Sequence, residues 1–162
     1  MATPRKPLVF DDNKEIQQLQ AGDTLLATTS GGDNYELTNT TGSALTMGEL
    51  VYADPTSAGT VKKAICSDTI VKARVIGIAM EEILNNASGA IHEAGNLSLG
   101  DPAFWDIVTG DTGGLVTGSV YYLGSTAGKI TKTPPVTGYI TKIGVALAAD
   151  LLFVDIDSPI KL

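Results

Sequence analysis

From Thr24 onward the chain is cut into short pieces, and that segmentation limits the folds open to it. Short runs rich in β-branched and aliphatic side chains alternate with turn-forming clusters. Gly31-Gly32-Asp33-Asn34, Thr41-Gly42-Ser43 and Ser57-Ala58-Gly59 separate the first of them, each supplying turn geometry that Gly and Asn tolerate. Predicted strands cover Thr24–Thr28, Tyr35–Thr38, Glu49–Ala53, Thr60–Ile65 and Ala73–Met80. They continue through Phe104–Thr109, Ser119–Leu123, Lys129–Lys132, Tyr139–Ala146 and Leu151–Asp157. Glu81–Ala87 admits a helical turn, but no long, strongly amphipathic stretch occurs. With 18 Gly and 7 Pro in 162 residues, the expectation is all-β: a compact sandwich or barrel-like domain of short strands. A chain of this length hides roughly 70% of its unfolded surface and needs no staples to fold.

The pieces repeat. Gly48-Glu49-Leu50-Val51-Tyr52 is answered in the second half of the chain by Gly118-Ser119-Val120-Tyr121-Tyr122. Ser57-Ala58-Gly59-Thr60-Val61-Lys62 is answered by Thr126-Ala127-Gly128-Lys129-Ile130-Thr131. Ile76-Gly77-Ile78-Ala79-Met80 is answered by Ile143-Gly144-Val145-Ala146-Leu147. Three matched blocks, in the same order and at nearly constant separation, predict two related units, about 48–80 and 118–147. Gly77 and Gly144, inside strands, mark bulges or close backbone packing.

The chemistry-bearing residues are sparse. Asp plus Glu (18) exceeds Lys plus Arg (11), giving a formal charge of −7, which argues against phosphate neutralisation and hence against a nucleic-acid partner. One Cys (Cys66) excludes an internal disulfide and one His (His92) excludes any site needing two imidazoles. His92 with Glu93, and Glu81 with Glu82, are the acid–base pairs on offer, yet strand neighbours point to opposite faces. His92 in Gly89–Gly95 reads as a solvated loop residue. Asp11, Asn13 and Glu15 have a calcium loop's alternating spacing but lack its central Gly and distal bidentate Glu. Asp155 and Asp157 read as an edge-solubilising pair rather than metal ligands. Neither Gly31-Gly32 nor Gly110-Asp111-Thr112-Gly113-Gly114 is followed by Lys-Ser/Thr or a helix, as a phosphate cradle would be. Ser119 and Ser125 lack a nucleophile-elbow context. Cys66, after a strand, reads as a packed or half-exposed small residue. No catalytic residue, cofactor site or metal site is expected. Phe104, Trp105, Tyr121 and Tyr122, close together in an aromatic-poor chain, read as core or oligomer-interface anchors in preference to a sugar-stacking platform.

Residues 1–23 differ in grammar from the β domain assigned to 24–162. Arg5 and Lys6 sit between Pro4 and Pro7, and Leu8-Val9-Phe10 follows. No apolar region suited to a secretory signal comes after the basic pair, and no run approaches the roughly 20 apolar residues of a membrane helix. Asn13 is placed to cap a helical turn through Ile16 and Leu19, with Gly22 closing it. The segment reads either as a frayed terminus or as an extended arm that orders on a neighbour, the arm's contact residues being Arg5, Lys6, Leu8, Val9 and Phe10.

The words of the sequence are also familiar. Lys6-Pro7-Leu8-Val9-Phe10 followed by Ile16 to Leu25 resembles the N-terminal segment of many tailed-phage fibre or head proteins. Asn39 to Ala44 leading into Gly48-Glu49-Leu50-Val51 resembles the opening of phage capsid decoration (cement) domains, as does Ala73 to Ala79. Gly118 to Leu123, Gly128 to Thr131 and Ile143 to Leu147 are similar to a module shared by phage fibres and decoration proteins. The resemblance implies a non-enzymatic virion subunit on the capsid exterior, a homo-oligomer and most simply a trimer, bound to the major capsid protein at capsomer junctions. It implies synthesis in the host bacterial cytoplasm, where Cys66 stays reduced. The competing reading is a short tail-fibre or baseplate component that binds a host receptor or glycan. The chain is short for a full fibre and shows no receptor-binding tip or shaft repeat.

Overall fold

The computed structural model of the chain describes residues 34–162 and, ahead of them, two short strands, β1 (Leu8–Phe10) and β2 (Ile16–Gln18). β1 and β2 pair antiparallel, with Leu8 opposite Gln18 and Phe10 opposite Ile16. The helical turn expected through Ile16 is therefore a strand over Ile16–Gln18. One isolated turn carries the full nucleation cost of a helix with little length to offset it, whereas a partner strand satisfies the backbone at once. The expected strand Thr24–Thr28 and the proposed domain boundary at residue 24 lie outside the described residues.

From residue 34 the chain builds one five-stranded unit and then a second. The first contains β3 (Asn34–Asn39), β4 (Leu50–Ala53), β5 (Thr60–Lys63), a single helical turn α1 (Ile70–Ala73), β6 (Gly77–Ala79) and β7 (Ser88–His92). The second contains β8 (Gly95–Ser98), α2 (Pro102–Thr109), β9 (Val120–Leu123), β10 (Ile130–Thr131), β12 (Lys142–Ala146) and β13 (Leu151–Val154). A small ladder of β11 (Tyr139–Ile140) with β14 (Ile160–Lys161) fastens the C-terminal end. In the first unit the strands run β5-β4-β6-β7-β3, and a short parallel pairing of β3 with β5 closes them into a barrel. In the second they run β10-β9-β12-β13-β8, the same order left open.

The repeat read from the sequence is a repeat of register. Val51 lies opposite Gly77 and Leu50 opposite Ile78; Tyr121 lies opposite Gly144 and Val120 opposite Val145. The turns entering β4 and β9 match bond for bond. Gly48 N–H donates to the Ala79 carbonyl at 2.8 Å and Gly118 N–H to the Ala146 carbonyl at 2.8 Å. Both glycines have positive φ, 88° and 79°, which disfavours any residue with a Cβ. The likeness extends past the sequence blocks. β7 and β13 pair on the far side of β6 and β12, placing His92 opposite Ile78 and Phe153 opposite Val145.

The units differ at one place. Where β3 and β5 meet in the barrel, the second unit inserts α2, which lies against β10 and sends Trp105 and Val108 into the core. The sequence reading made Phe104–Thr109 a strand; it is helical. The Asp101 carboxylate caps it, accepting from Ala103 N–H at 2.9 Å. Pro102 opens it and Gly110, at φ 74°, ends it. The predicted strand Ala73–Met80 is likewise shorter. Ala73 closes α1, whose Thr69 side chain caps the turn, and extended pairing is confined to Gly77–Ala79. Glu81–Ala87 is an irregular connection pinned by a bridge between Leu45 and Ile83, not a helical turn. Gly89–Gly95, read as a loop, supplies most of β7 and the start of β8.

Two cores result. The barrel interior holds Leu45, Val51, Val61, Ala79, Ile83 and Ile91. The larger core joins the barrel's outer face, Leu50, Tyr52 and Ile78, to Trp105, Tyr121, Ile143 and Leu152 of the second unit. Backbone bonds stitch the seam: Leu50 N–H to the Gly128 carbonyl (3.0 Å), Gly128 N–H to Ala64 (2.8 Å) and Cys66 N–H to Gly124 (3.2 Å).

Gly77 and Gly144 test the equivalence. A Cβ on Gly77 would fall 2.6 Å from the His92 carbonyl oxygen, and one on Gly144 would overlap the Phe153 carbonyl, the matching atom of the other unit. Backbone cannot step aside as a side chain can. Gly77→Ala and Gly144→Ala are each expected to lower unfolding stability by about 2–3 kcal/mol, measured by urea denaturation. A neutral result at either position would break the correspondence.

Candidate interaction surface

The structure separates the four aromatics that the sequence grouped as interface anchors. Trp105 is fully buried in its own chain, its indole N–H donating to the Asp150 carbonyl at 3.0 Å. Tyr121 is also fully buried, its hydroxyl accepting from Val116 N–H at 2.9 Å. Neither has surface to give a neighbour, so both leave the interface set. The cause is periodicity: adjacent strand residues face opposite ways, so Tyr121 goes in while Tyr122 stays half-buried at the surface. Helical spacing separates the other two, with Trp105 inward and Phe104 partly exposed beside Ile107. Of the proposed arm, Arg5 and Lys6 lie outside the described residues, and Leu8, Val9 and Phe10 are placed as backbone in β1.

A surface that the sequence reading missed emerges on the outer side of the second sheet. Cross-strand register lines up Val120, Val145, Phe153 and Asn96 across β9, β12, β13 and β8. Leu151 and Leu147 share that side by alternation from Phe153 and Val145, and Tyr122 flanks Val120. In the first unit the matching row is Leu50, Ile78, His92 and Asn34. There Leu50 and Ile78 are fully covered and His92 is 2% exposed, whereas Phe153 is 44% exposed. The alternation was legible in the strands, but telling which face remains open requires knowing that the units pack back onto one another.

The charged groups serve mainly the structure's own joints. The buried Glu49 carboxylate receives Lys63 at 2.8 Å, Lys129 at 3.2 Å and Thr46 N–H at 3.0 Å, tying one lysine from each unit to a single anion. Lys62 beside Asp54 (2.7 Å), helped by Thr56, holds that carboxyl down at about 2. Asp155 and Asp157 both clamp Lys142, at 2.7 and 3.5 Å. Among the described residues no three His, Cys, Asp or Glu side chains converge as metal ligands would. A recess of about 580 Å³ opens between α2 and the Pro134–Thr137 segment, and among the described residues the one charged side chain in its wall, Lys129, is already held by Glu49. Cys66 is buried, which raises its thiol pKa and disfavours the reactive thiolate.

His92 is not a solvated loop residue. It sits on β7 with Nδ1–H donating to the Asn34 side-chain oxygen at 2.9 Å, while Nε2 is buried without a hydrogen bond of normal geometry. Burial lowers its pKa from the ordinary histidine value; the Gly95 backbone opposes this more weakly. It is buried because β7 is an interior strand, paired with both β3 and β6.

Two outcomes follow. A histidine whose folded pKa is lowered contributes stability that is complete above its unfolded pKa near 6.5 and is lost as pH falls below that value. Urea midpoints should drop between pH 7 and pH 5.5, with a single-proton slope of at most about 1.4 kcal/mol per pH unit. His92→Phe, which installs the residue found at the matching place in the second unit, should flatten that slope. Asp54 titrates too low to contribute in this window. Separately, Glu49→Gln should cost about 1–3 kcal/mol by thermal or urea unfolding, because the lysines it leaves are partly exposed and regain water.

No protein-family model matches the chain, and a search of curated proteins gives no match.

Proposed function

We propose that this chain is a non-enzymatic structural subunit of a tailed-phage virion: a decoration protein seated on the outer capsid surface, where it stabilises capsomer junctions. The observation that carries the reading is the kind of surface the fold offers. Two tightly cored β units present sheet faces suited to contact with protein, and the buried polar groups are taken up inside the fold, Glu49 and Thr141 joining the units and Asn39, Asp54 and His92 bonded within the first. The segments that resemble decoration proteins, Gly48 to Val51, Ala73 to Ala79, Gly118 to Leu123 and Ile143 to Leu147, are the turns and strands from which both units are built.

Charge gives the second support. Of the eight Lys and Arg residues from position 34 onward, six are held in ion pairs, so the body meets a partner as an acidic surface. Arg5 and Lys6 then carry the attraction to the acidic outer face of a capsid protein, with Leu8, Val9 and Phe10 as apolar anchors. Burying three such side chains contributes roughly 4–8 kcal/mol before ordering costs. Subunits joined as a homo-oligomer, a trimer in the simplest arrangement, multiply that contact by avidity. The partner is the major capsid protein; neither nucleic acid nor membrane is involved.

Copy number in purified particles tests the assignment. A decoration subunit is present at hundreds of copies on a stained gel, and a count of a few to some dozens would move the chain to a fibre or baseplate. Arg5→Glu with Lys6→Glu should weaken binding to undecorated capsids by roughly tenfold or more, read by co-sedimentation, while circular dichroism of the body stays unchanged. Binding at full strength would remove the arm from the interface.

A further inference from the structure

We propose that His92 makes the joint between the two units acid-sensitive: a proton taken up at Nε2 favours a state in which the second unit has come away from the barrel. The proposal concerns the chain's own fold and stands or falls apart from the virion reading.

The argument begins with an inversion. The row Leu50, Ile78, His92 and Asn34 of the first unit matches Val120, Val145, Phe153 and Asn96 of the second. Burial alone would put the phenylalanine at the covered position and the histidine at the open one. The chain does the reverse, with His92 buried and Phe153 exposed. Alternation fixes where the imidazole goes. Ile91, beside it on β7, fills the barrel interior, so His92 turns outward, to the side on which Ile78 enters the core shared by both units. Only Glu93 and Ala94 separate it from β8, where the second unit begins.

The two ring nitrogens are unequally served. Nδ1–H donates to Asn34 Oδ1 at 2.9 Å, whereas Nε2 is buried with no hydrogen-bond partner among the described residues. The next proton goes to Nε2, and the cation then holds a donor in the seam with nothing placed to receive it. The groups around it do not answer that charge. From β3 come Asn34 and, two residues along, the exposed Glu36; from β6 comes Ile78. Glu81, beyond β6, accepts from Ala90 N–H. Glu93 lines a cleft with Arg74, Asp155 and Asp157, and Lys142 holds that aspartate pair. From β8, the Gly95 backbone favours the cation less than burial opposes it.

The barrel interior is indifferent to acid. Leu45, Val51, Val61, Ala79, Ile83 and Ile91 include no ionisable side chain, and the ladder around them closes on itself. Releasing the seam therefore relieves the charge while that cluster stays packed, a sub-global opening rather than complete unfolding. The sign follows from linkage. Well above pH 6.5 the histidine is neutral in both states; below it, the opened state binds a proton that the closed state refuses, so opening gains as pH falls.

The test is amide hydrogen exchange of the full chain, followed residue by residue at pH 7 and pH 5.5 and corrected for intrinsic exchange rates. The seam reports through the N–H groups of Leu50, Cys66 and Gly128, which bond to Gly128, Gly124 and Ala64 across the joint. The barrel reports through Asn39, Leu45 and Ile83, bonded to Ala87, Ile83 and Leu45. Seam amides should be less protected than barrel amides at both pH values. From pH 7 to pH 5.5 their protection should fall by up to about eightfold, the limit for one histidine with an unfolded pKa near 6.5. His92→Phe should remove that fall. Should it fail to fold, His92→Gln, neutral over the whole range, takes its place. Three results would overturn the proposal. Equal protection of the two sets would make the chain one cooperative unit with no separate joint. Seam protection unchanged by acid would leave His92 without effect. A fall that survives in the variant would assign the acid response to another group of the seam, Glu49 first. Capsid binding enters none of these readouts, so the virion reading can fail while this one stands, or the reverse.

Discussion

Alternate side chains of β4 enter different cores. Val51 points into the barrel, while Leu50 and Tyr52 leave it for the space shared with the second unit. A four-residue strand thereby belongs to two hydrophobic clusters, and no residue of Leu50–Tyr52 can become polar without exposing one of them. The arrangement also accounts for Glu49 directly before it. A carboxylate held between two packed units needs its charge met from both sides, and Lys63 and Lys129 supply that from separate repeats.

The duplication is closest where side chains are forbidden. Gly48 and Gly118 adopt backbone angles that a Cβ penalises, and Gly77 and Gly144 admit a neighbouring carbonyl where a Cβ would stand. Aliphatic positions drift freely between Leu, Val and Ile, because burial asks only for volume. That is why the repeat was readable in the sequence: glycine words are set by backbone geometry and survive while the packing around them changes. The same logic explains what was unreadable. β7 contains Ser88, Gly89 and Ala90, residues without β preference, and is a strand because β3 and β6 pair with it on both sides. The closure of β3 on β5 rests on two residue pairs, too short a signal to leave a periodicity.

The aromatic cluster shows the limit more sharply. Its enrichment in bulky residues pointed to a strand at Phe104–Thr109, yet Asp101-Pro102 before it and Gly110 after it are ordinary helix boundaries. The helix has eight residues and falls below the length at which amphipathic spacing stands out. Its insertion makes the second unit differ from the first, adding Trp105 and Val108 to the core the two units share. Of the four aromatics, the sequence placed the group in the right part of the molecule but could not divide it between inside and outside.

The open state of the second unit has a consequence for how the chain acquires its structure. The barrel's ladder closes on itself, and its interior cluster is drawn from a continuous stretch of sequence between Leu37 and Ile91. The second core is incomplete until Leu50, Tyr52 and Ile78 are presented to it as a finished wall. On a ribosome the first unit emerges first, and domains tend to fold in that order. Synthesis from the N-terminus therefore delivers the template before the segment that must be shaped on it, and the seam at Leu50, Gly128 and Ala64 becomes the place where the later half of the chain takes its register from the earlier.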